Sequence, residues 1–323
     1  MPVLKVACLR GHNCSVWICG GDHDHMQSHR NVVDDCANLD GQISIVYLSP
    51  DPSPLPQVDW AILNGDRYPL LPIVVRCYQQ KIGIVHMSGG DKQDGFLVDE
   101  PVRHAISKFA HLHFPILQSS YGRLIRMGEQ HKRIHNVGST MVDDLVNFRP
   151  VKNNFNGYFL IQMHPAPNWT EHLRDIILIL KGKADIIVMM PNGDPGFGET
   201  KGITWQKSLP REEFLQLMWN ARCFIGNSSG MALEAQYIGV PCVHVGPRND
   251  GREEAFPGHQ VEYEGDILRA VDDAIGKDAR NIDGLRHDWR DGKHGDGTAA
   301  QQIIDCLEKT GVPTQTILHK EWE

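Results

Sequence analysis

A run of small polar residues between an apolar segment and a helical segment is well suited to binding phosphate. The run consists of Asn227, Ser228, Ser229 and Gly230. It follows the apolar segment 223–226 and precedes a helical pattern that ends near Tyr237. Backbone N–H groups at a helix N-terminus bind phosphate because the helix dipole favours negative charge there. The pattern predicts a phosphate site, and the alternative interpretation is that Ser228 only caps the helix.

Three charged residues near this run could complete a nucleotide site. Glu234 lies one turn into the same helical pattern, where its carboxylate could accept two hydrogen bonds from a ribose. Arg248 and Arg252 lie in a glycine-containing loop one strand later. A guanidinium group matches the geometry of phosphate oxygens. The alternative for both arginines is a solvated loop position.

Carboxylates follow the strand-like segments of the N-terminal half. Asp66 comes directly after an apolar strand, Asp91 follows two glycines, and Asp99 and Glu100 begin a helical pattern. Carboxylates close to a diphosphate are unfavourable unless they transfer protons or contact sugar hydroxyls. The sequence thus favours acid/base roles, with helix capping as the alternative for Asp99 and Glu100 and a turn role for Asp91.

Histidines are numerous, with 17 in the chain, and two places among them bear on function. His164 ends a strand of the C-terminal half, where a functional role competes with a structural one. The segment Gly20–His25 alternates aspartate and histidine in a way that suggests a metal site. Alternating residues converge poorly on one ion, so no metal is predicted.

Short apolar strands that alternate with helical patterns must position these residues. This alternation predicts an α/β protein with two Rossmann-like parallel-sheet domains, of which the first is shortened. The Asn-rich stretch 147–157 predicts the linker between domains at residues 1–150 and 151–323, with the last helix crossing back to the first domain. Ligands of such sheets bind at the carboxyl ends of the strands, so a cleft lined by both sheets is expected.

The bulk composition narrows the function classes. A net charge of −8 without a dense Lys/Arg stripe argues against broad nucleic-acid binding. No segment reaches the length of about 18 apolar residues that a membrane span needs. The 8 cysteines lack framework spacing and several lie in apolar runs, which predicts reduced thiols and a cytoplasmic protein.

Several segments together resemble the UDP-N-acetylglucosamine 2-epimerase family, nearer its hydrolysing, sialic-acid-pathway branch. They run in order over roughly residues 59–275 and comprise 65–67, 86–91, 99–108, 111–114, 136–138, 164–165, 191–196, 226–234 and 246–252. The resemblance implies a GT-B-like fold, a UDP-sugar held mainly by the second domain, and no cofactor. It also implies abstraction of the sugar C2 proton, elimination of UDP, and a homodimer.

By position, the resemblance also implies roles for individual residues. Asp66, Asp91, Asp99, Glu100 and His164 correspond to the catalytic set. The residues implied to bind the UDP-sugar are Arg67, Arg103, Asn192, Asn227, Ser228, Ser229, Gly230, Glu234, Arg248 and Arg252.

The chain departs from the family pattern in its N-terminal half. The turn after Cys19 has no arginine where the family carries Gly-x-Arg, the segment 50–58 is short, and Asp91 replaces a glutamate. A glycosyltransferase with a glycan, a metabolite or a modified DNA base as acceptor is therefore the alternative to an epimerase. A nucleotide-sugar sensor without catalytic activity is the third hypothesis.

Overall fold

The computed structural model describes residues 3–8, 15–19, 44–47, 55, 57–66, 68, 70–92, 99–151, 157–190, 202–249, 259–261, 266–276 and 295–320. The chain divides into two compact units. The first consists of Met1–Asp144 together with Arg290–Glu323, and the second of Leu145–Trp289.

The first unit contains a mixed sheet. Its described strands are β1 (Val3–Cys8), β2 (Ser15–Cys19), β3 (Ser44–Tyr47), β4 (Trp60–Asn64), β5 (Gly83–Met87) and β6 (Leu112–Phe114). They lie in the order β3-β1-β2-β4-β5-β6, and β2, β4, β5 and β6 pair in parallel as predicted.

Strand β1 differs from the predicted parallel arrangement because it runs antiparallel to both β2 and β3. Residues 9–14 alone join β1 to β2. A parallel pair needs a crossover of about a dozen residues or more, so this short connection permits only the antiparallel pairing.

Helices cover both faces of this sheet, which is why β4 and β5 are buried throughout. The described helices of this unit are α1 (Leu70–Gln79), α2 (Asp99–Phe109), α3 (Gln118–Arg126), and, near the C-terminus, α8 (Ala299–Thr310) and α9 (Gln315–Leu318). Helix α1 buries Leu70, Ile73, Val74 and Cys77, the spacing of one helical face. Residues of α1 and α2 share one core with Ala61 and Leu63 of β4.

Helix α8 covers the opposite face of the sheet. Ile303, Ile304 and Leu307 pack with Trp60 and Ile62, the β4 residues that alternate with those facing α1 and α2. The indole Nε1 of Trp60 donates a hydrogen bond to the carbonyl of Gly311 at 2.8 Å. The last described helices are therefore part of the first unit.

The segment after α8 is held by two buried cations. Arg133 donates to the carbonyl oxygens of Ile317 and His319, each at 2.6 Å. Lys320 Nζ lies 2.6 Å from a carboxylate oxygen of Glu129 and 3.1 Å from the carbonyl oxygen of Lys108 at the end of α2. These bonds fix the C-terminal segment to the end of α2 and to residues 129–133, which follow α3.

The second unit contains a parallel sheet. Its described strands are β7 (Tyr158–Gln162), β8 (Asp185–Met189), β9 (Trp205–Gln206), β10 (Ala221–Gly226), β11 (Cys242–Val245) and β12 (His259–Val261). They lie in the order β12-β11-β10-β7-β8-β9. Counted within the unit this is the order 3-2-1-4-5-6 of a Rossmann fold, read from the β9 edge, and the topological switch point lies between β7 and β10.

Helices with apolar faces pack on this sheet. The described ones are α4 (Trp169–Leu180), α5 (Arg211–Asn220), α6 (Ser229–Tyr237) and α7 (Ile267–Gly276). Helix α4 buries Trp169, Leu173, Ile176 and Leu180 at helical spacing. Helix α6 is buried from Met231 to Tyr237, so it is a central element of this unit.

Candidate functional site

The switch point of the second sheet brings together the residues that follow β7 and β10. The side chain of Asn227 accepts a hydrogen bond from the backbone N–H of His164 at 2.6 Å and donates to its carbonyl at 3.1 Å. Both residues are buried. Two predicted site residues therefore meet where ligands of open parallel sheets bind.

Close packing of β7 and β10 depends on the glycine before Asn227. A Cβ atom at Gly226 would lie 2.0 Å from the carbonyl oxygen of Gln162, and this contact is with backbone. Only glycine allows the two strands to approach to this distance. The turn after β10 is thereby brought beside the end of β7.

Helix α6 begins directly after this turn. The hydroxyl of Ser228 accepts a hydrogen bond from the N–H of Met231 at 3.4 Å, so Ser228 caps the helix. The capping alternative for Ser228 is therefore observed. Ser229 and Gly230 lie in the first turn of α6, the part of a helix whose N–H groups donate to bound anions.

Glu234 lies in the second turn of α6 with its side chain buried. Its Oε1 accepts a hydrogen bond from Arg211 Nη1, the first residue of α5, at 2.6 Å. A carboxylate can accept about four hydrogen bonds, so one bond from Arg211 is compatible with ribose hydroxyls as further donors. The pair neutralises a buried charge and fixes the orientation of the carboxylate.

Residues after β11 also converge on Asn227. Arg248 Nη1 and Asn249 Nδ2 donate to its carbonyl oxygen at 3.2 and 3.1 Å. Asn249 Nδ2 lies 3.2 Å from Nδ1 of His244, and burial lowers the pKa of His244 to about 3. His244 is therefore neutral at pH 7, and the positive charge at this position comes from Arg248.

In the first unit, one arginine contacts three of the predicted acidic residues. Arg103 forms an ion pair with Asp66 and donates to a carboxylate oxygen of Glu100 at 3.0 Å and to the carbonyl oxygen of Asp91 at 3.2 Å. Asp66, Asp91 and Arg103 are buried. Arg103 lies on α2, one turn after Glu100, so the helix and the ends of β4 and β5 build this group together.

The carboxylate of Asp91 has a contact that the sequence did not predict. Its Oδ1 accepts a hydrogen bond from the buried hydroxyl of Ser120 on α3 at 2.9 Å. Ser120 and Arg211 lie 29 and 23 residues from their partners, and no local motif marks either of them. Only the folded chain reveals both contacts.

Several predicted residues lie outside the described part of the chain. They are Arg67, Asn192, Arg252 and the segment Gly20–His25; of Asp99 only the backbone is described, as the first residue of α2. Within the described ranges, no cluster of His, Cys, Asp or Glu residues has a metal-binding arrangement. No helix in those ranges has the length and apolarity to cross a membrane.

A parallel sheet in this strand order, with a helix N-terminus at its switch point, defines a Rossmann-like unit of the nucleotide-binding class. The family model described as UDP-N-acetylglucosamine 2-epimerase matches residues 55–308, and the chain belongs to this family. The resemblance inferred from the sequence motifs is thereby confirmed.

Curated relatives are similar over most of the chain. A protein of Legionella pneumophila named UDP-N,N'-diacetylbacillosamine 2-epimerase (hydrolyzing) is 29% identical over 81% of this chain and 74% of its own length. The GDP/UDP-N,N'-diacetylbacillosamine 2-epimerase (hydrolyzing) of Campylobacter jejuni is 30% identical over 60% of this chain and 58% of its own length. The chain thus spans less than two thirds of the Campylobacter relative.

Solved structures have the same fold. The UDP-GlcNAc 2-epimerase of Methanocaldococcus jannaschii, in complex with UDP-GlcNAc and UDP, matches with a TM-score of 0.60 and 20% identity over 88% of this chain and 81% of that one. This likeness confirms the predicted α/β, GT-B-like fold.

Proposed function

We propose that this chain is a UDP-sugar 2-epimerase that acts on a UDP-linked N-acetylated hexosamine, releasing UDP. The observation that carries the proposal is the switch point of the second sheet, where Asn227, His164 and the N-terminus of α6 meet. Membership of the UDP-N-acetylglucosamine 2-epimerase family supports it, as do relatives named for hydrolysing epimerisation.

The second unit would hold the nucleotide. The N–H groups of Ser229 and Gly230 would donate to the diphosphate, with Arg248 and Arg252 adding positive charge and His164 and Asn192 lining the site. The carboxylate of Glu234, held by Arg211, would accept hydrogen bonds from the ribose hydroxyls. In this scheme UDP is part of the substrate and is then released as a product. Proton transfer and elimination require no redox cofactor.

The first unit would supply the groups for proton transfer. One carboxylate of Asp66, Asp91, Asp99 and Glu100 removes the proton from C2 of the sugar, and the C1–O bond to UDP breaks with its electron pair on the UDP oxygen. Water then adds to the resulting glycal, with its oxygen on C1 and a proton on C2 from the opposite face. Arg103 would orient Asp66 and Glu100, to which it donates. Arg67 is proposed to bind the sugar.

One assay tests the reaction. The protein is incubated with UDP-N-acetylglucosamine or UDP-N,N'-diacetylbacillosamine in D2O, and NMR follows free UDP and the C2 proton. The proposal predicts deuterium at C2 without any acceptor, together with free UDP when water adds to the glycal. Free sugar as the product indicates the hydrolysing reaction, and a UDP-linked 2-epimer the non-hydrolysing one.

The same assay separates the alternatives. UDP release that requires an added acceptor and leaves C2 undeuterated would contradict the proposal and indicate a glycosyltransferase. UDP binding without turnover of either sugar would contradict it as well and indicate a nucleotide-sugar sensor.

A further inference from the structure

A buried histidine that lies outside the predicted catalytic set joins the elements that carry that set. His86 is the fourth residue of β5, and its side chain faces α2 with no exposed surface. Its Nε2 lies 2.9 Å from the carbonyl oxygen of Gly65, the residue before Asp66. Its Nδ1 lies 2.9 Å from the hydroxyl of Ser107 on α2.

These contacts close a ring of residues that includes the Asp66–Arg103 ion pair. Ser107 lies one helical turn after Arg103 on the same face of α2. Arg103 is paired with Asp66, Asp66 follows Gly65, and Gly65 is bonded to His86. His86 therefore connects the loop after β4 to the helix that must hold Arg103 against Asp66.

The protonation state of His86 follows from the chemistry of its partners. A carbonyl oxygen can only accept, so Nε2 carries a proton and donates to Gly65. Burial lowers the pKa of His86 to about 3, so the ring is neutral and its Nδ1 is an acceptor. The hydroxyl proton of Ser107 then points to Nδ1 rather than to the carbonyl oxygen of Arg103, which lies 3.1 Å away.

The residue beside the hydrogen bond between His86 and Ser107 is a glycine. A Cβ atom at Gly89 would lie 2.9 Å from Nδ1 of His86 and 3.2 Å from the Ser107 hydroxyl. The turn after β5 therefore carries no side chain at the point where β5 and α2 are joined. The glycine at position 89 therefore allows Ser107 to approach His86.

We infer that His86 is a positioning residue for the proposed reaction, acting through the Gly65 carbonyl and Ser107 to hold Asp66 and Arg103 in register. This inference rests on the proposed function. It adds to that function a residue whose hydrogen bonds go to Ser107 and to the carbonyl oxygen of Gly65, neither of which is assigned to proton transfer.

Three substitutions, two of His86 and one of Ser107, test the two hydrogen bonds of His86 separately. His86→Gln keeps a donor for the Gly65 carbonyl, His86→Asn keeps an acceptor for Ser107, and Ser107→Ala removes the hydroxyl. We expect the rate constant for C2 deuterium exchange to fall by about 10- to 100-fold in His86→Asn, because small misplacements of reacting groups cost that much. His86→Gln should recover part of this loss, and KM and the Kd for UDP should stay at the wild-type values in all three.

A matched control shows what loss of a buried histidine does elsewhere in the unit. His111 is also buried with its pKa lowered to about 3, and its Nδ1 accepts from the N–H of Ile84 at 2.9 Å. His111→Asn should lower the melting temperature about as much as His86→Asn while leaving kcat unchanged. If His86→Asn fails to fold, Ser107→Ala decides the question by the same split between kcat and KM.

The results separate this inference from the proposed function. Wild-type exchange at C2 together with unchanged kcat in the His86 and Ser107 variants would overturn the inference and leave the function standing. Absence of C2 exchange in the wild type would overturn both. Independently of activity, the 15N signals of His86 should show a protonated Nε2, a bare Nδ1 and no titration above pH 5, and a protonated Nδ1 would overturn the assignment.

Discussion

At the scale of single residues, each unit contains one group of predicted site residues that contact one another. Asp66, Asp91, Glu100 and Arg103 lie together, as do His164, Asn227 and Arg248. Their positions after strands or at a helix start were readable from apolar patterns. The internal partners Ser120, Arg211 and His86 were not, because such contacts join residues far apart in the chain.

The first residue-scale prediction concerns Glu234. Glu234→Gln keeps the shape of the side chain but removes a charged acceptor, and hydrogen bonds to charged groups contribute about 1.5–3 kcal/mol. The Kd for UDP in calorimetry should therefore rise by about 10-fold or more. Glu213→Gln, an exposed position on α5, is the control and should bind UDP as the wild type does. Equal affinity in both variants would disprove the ribose assignment.

A second prediction separates binding from chemistry. Asp66→Asn retains an oxygen for Arg103 but cannot take a proton, so turnover should fall by about 100-fold or more. The affinity for UDP should not change, because Asp66 belongs to the first unit and the nucleotide is assigned to the second. Asp305→Asn, an exposed change on α8, serves as the control. Wild-type turnover in Asp66→Asn would remove Asp66 from the acid/base group.

At the scale of elements, most strands and helices could be predicted because their apolar residues follow simple periods. Helix α6 ends at Tyr237, where its helical pattern was predicted to end. The antiparallel β1 was not predictable from periodicity, because a strand's direction depends on its connections and not on its side chains.

The junction of β7 and β10 yields an element-scale prediction. Gly226→Ala places a methyl group against the backbone of Gln162, which should lower the free energy of unfolding by at least about 2 kcal/mol. UDP affinity should fall with it, since the same turn leads into α6. Gly276→Ala is the matched control, because nothing lies within 4 Å of the added Cβ. In urea denaturation that variant should equal the wild type or exceed it by up to about 1 kcal/mol, and equal stability of both variants would contradict the packing argument.

At the scale of the whole molecule, buried histidines couple stability to pH. Burial lowers the pKa of His86, His111 and His244 from an ordinary value of 6.5 to about 3. Below pH 6.5 the unfolded chain binds protons that the folded chain excludes, so this stability is complete above pH 6.5 and declines as the pH falls toward 3. Each histidine contributes a slope of up to about 1.4 kcal/mol per pH unit.

Urea denaturation between pH 8 and 5 checks this dependence. The free energy of unfolding should decrease as the pH falls below 6.5, and the decrease should be smaller in His111→Asn, which lacks one of the titrating groups. A free energy that is constant from pH 7 to 5, or an equal slope in the variant, would show that these histidines become protonated in the folded protein.

The central claim is that the N-terminus of α6, at the switch point of the second sheet, is the diphosphate site. A crystal structure of the protein with UDP tests this claim most directly. We predict the diphosphate within hydrogen-bond distance of the backbone N–H groups of Ser229 and Gly230, with the ribose hydroxyls on Glu234. A diphosphate bound elsewhere, with no phosphate at the start of α6, would contradict the claim.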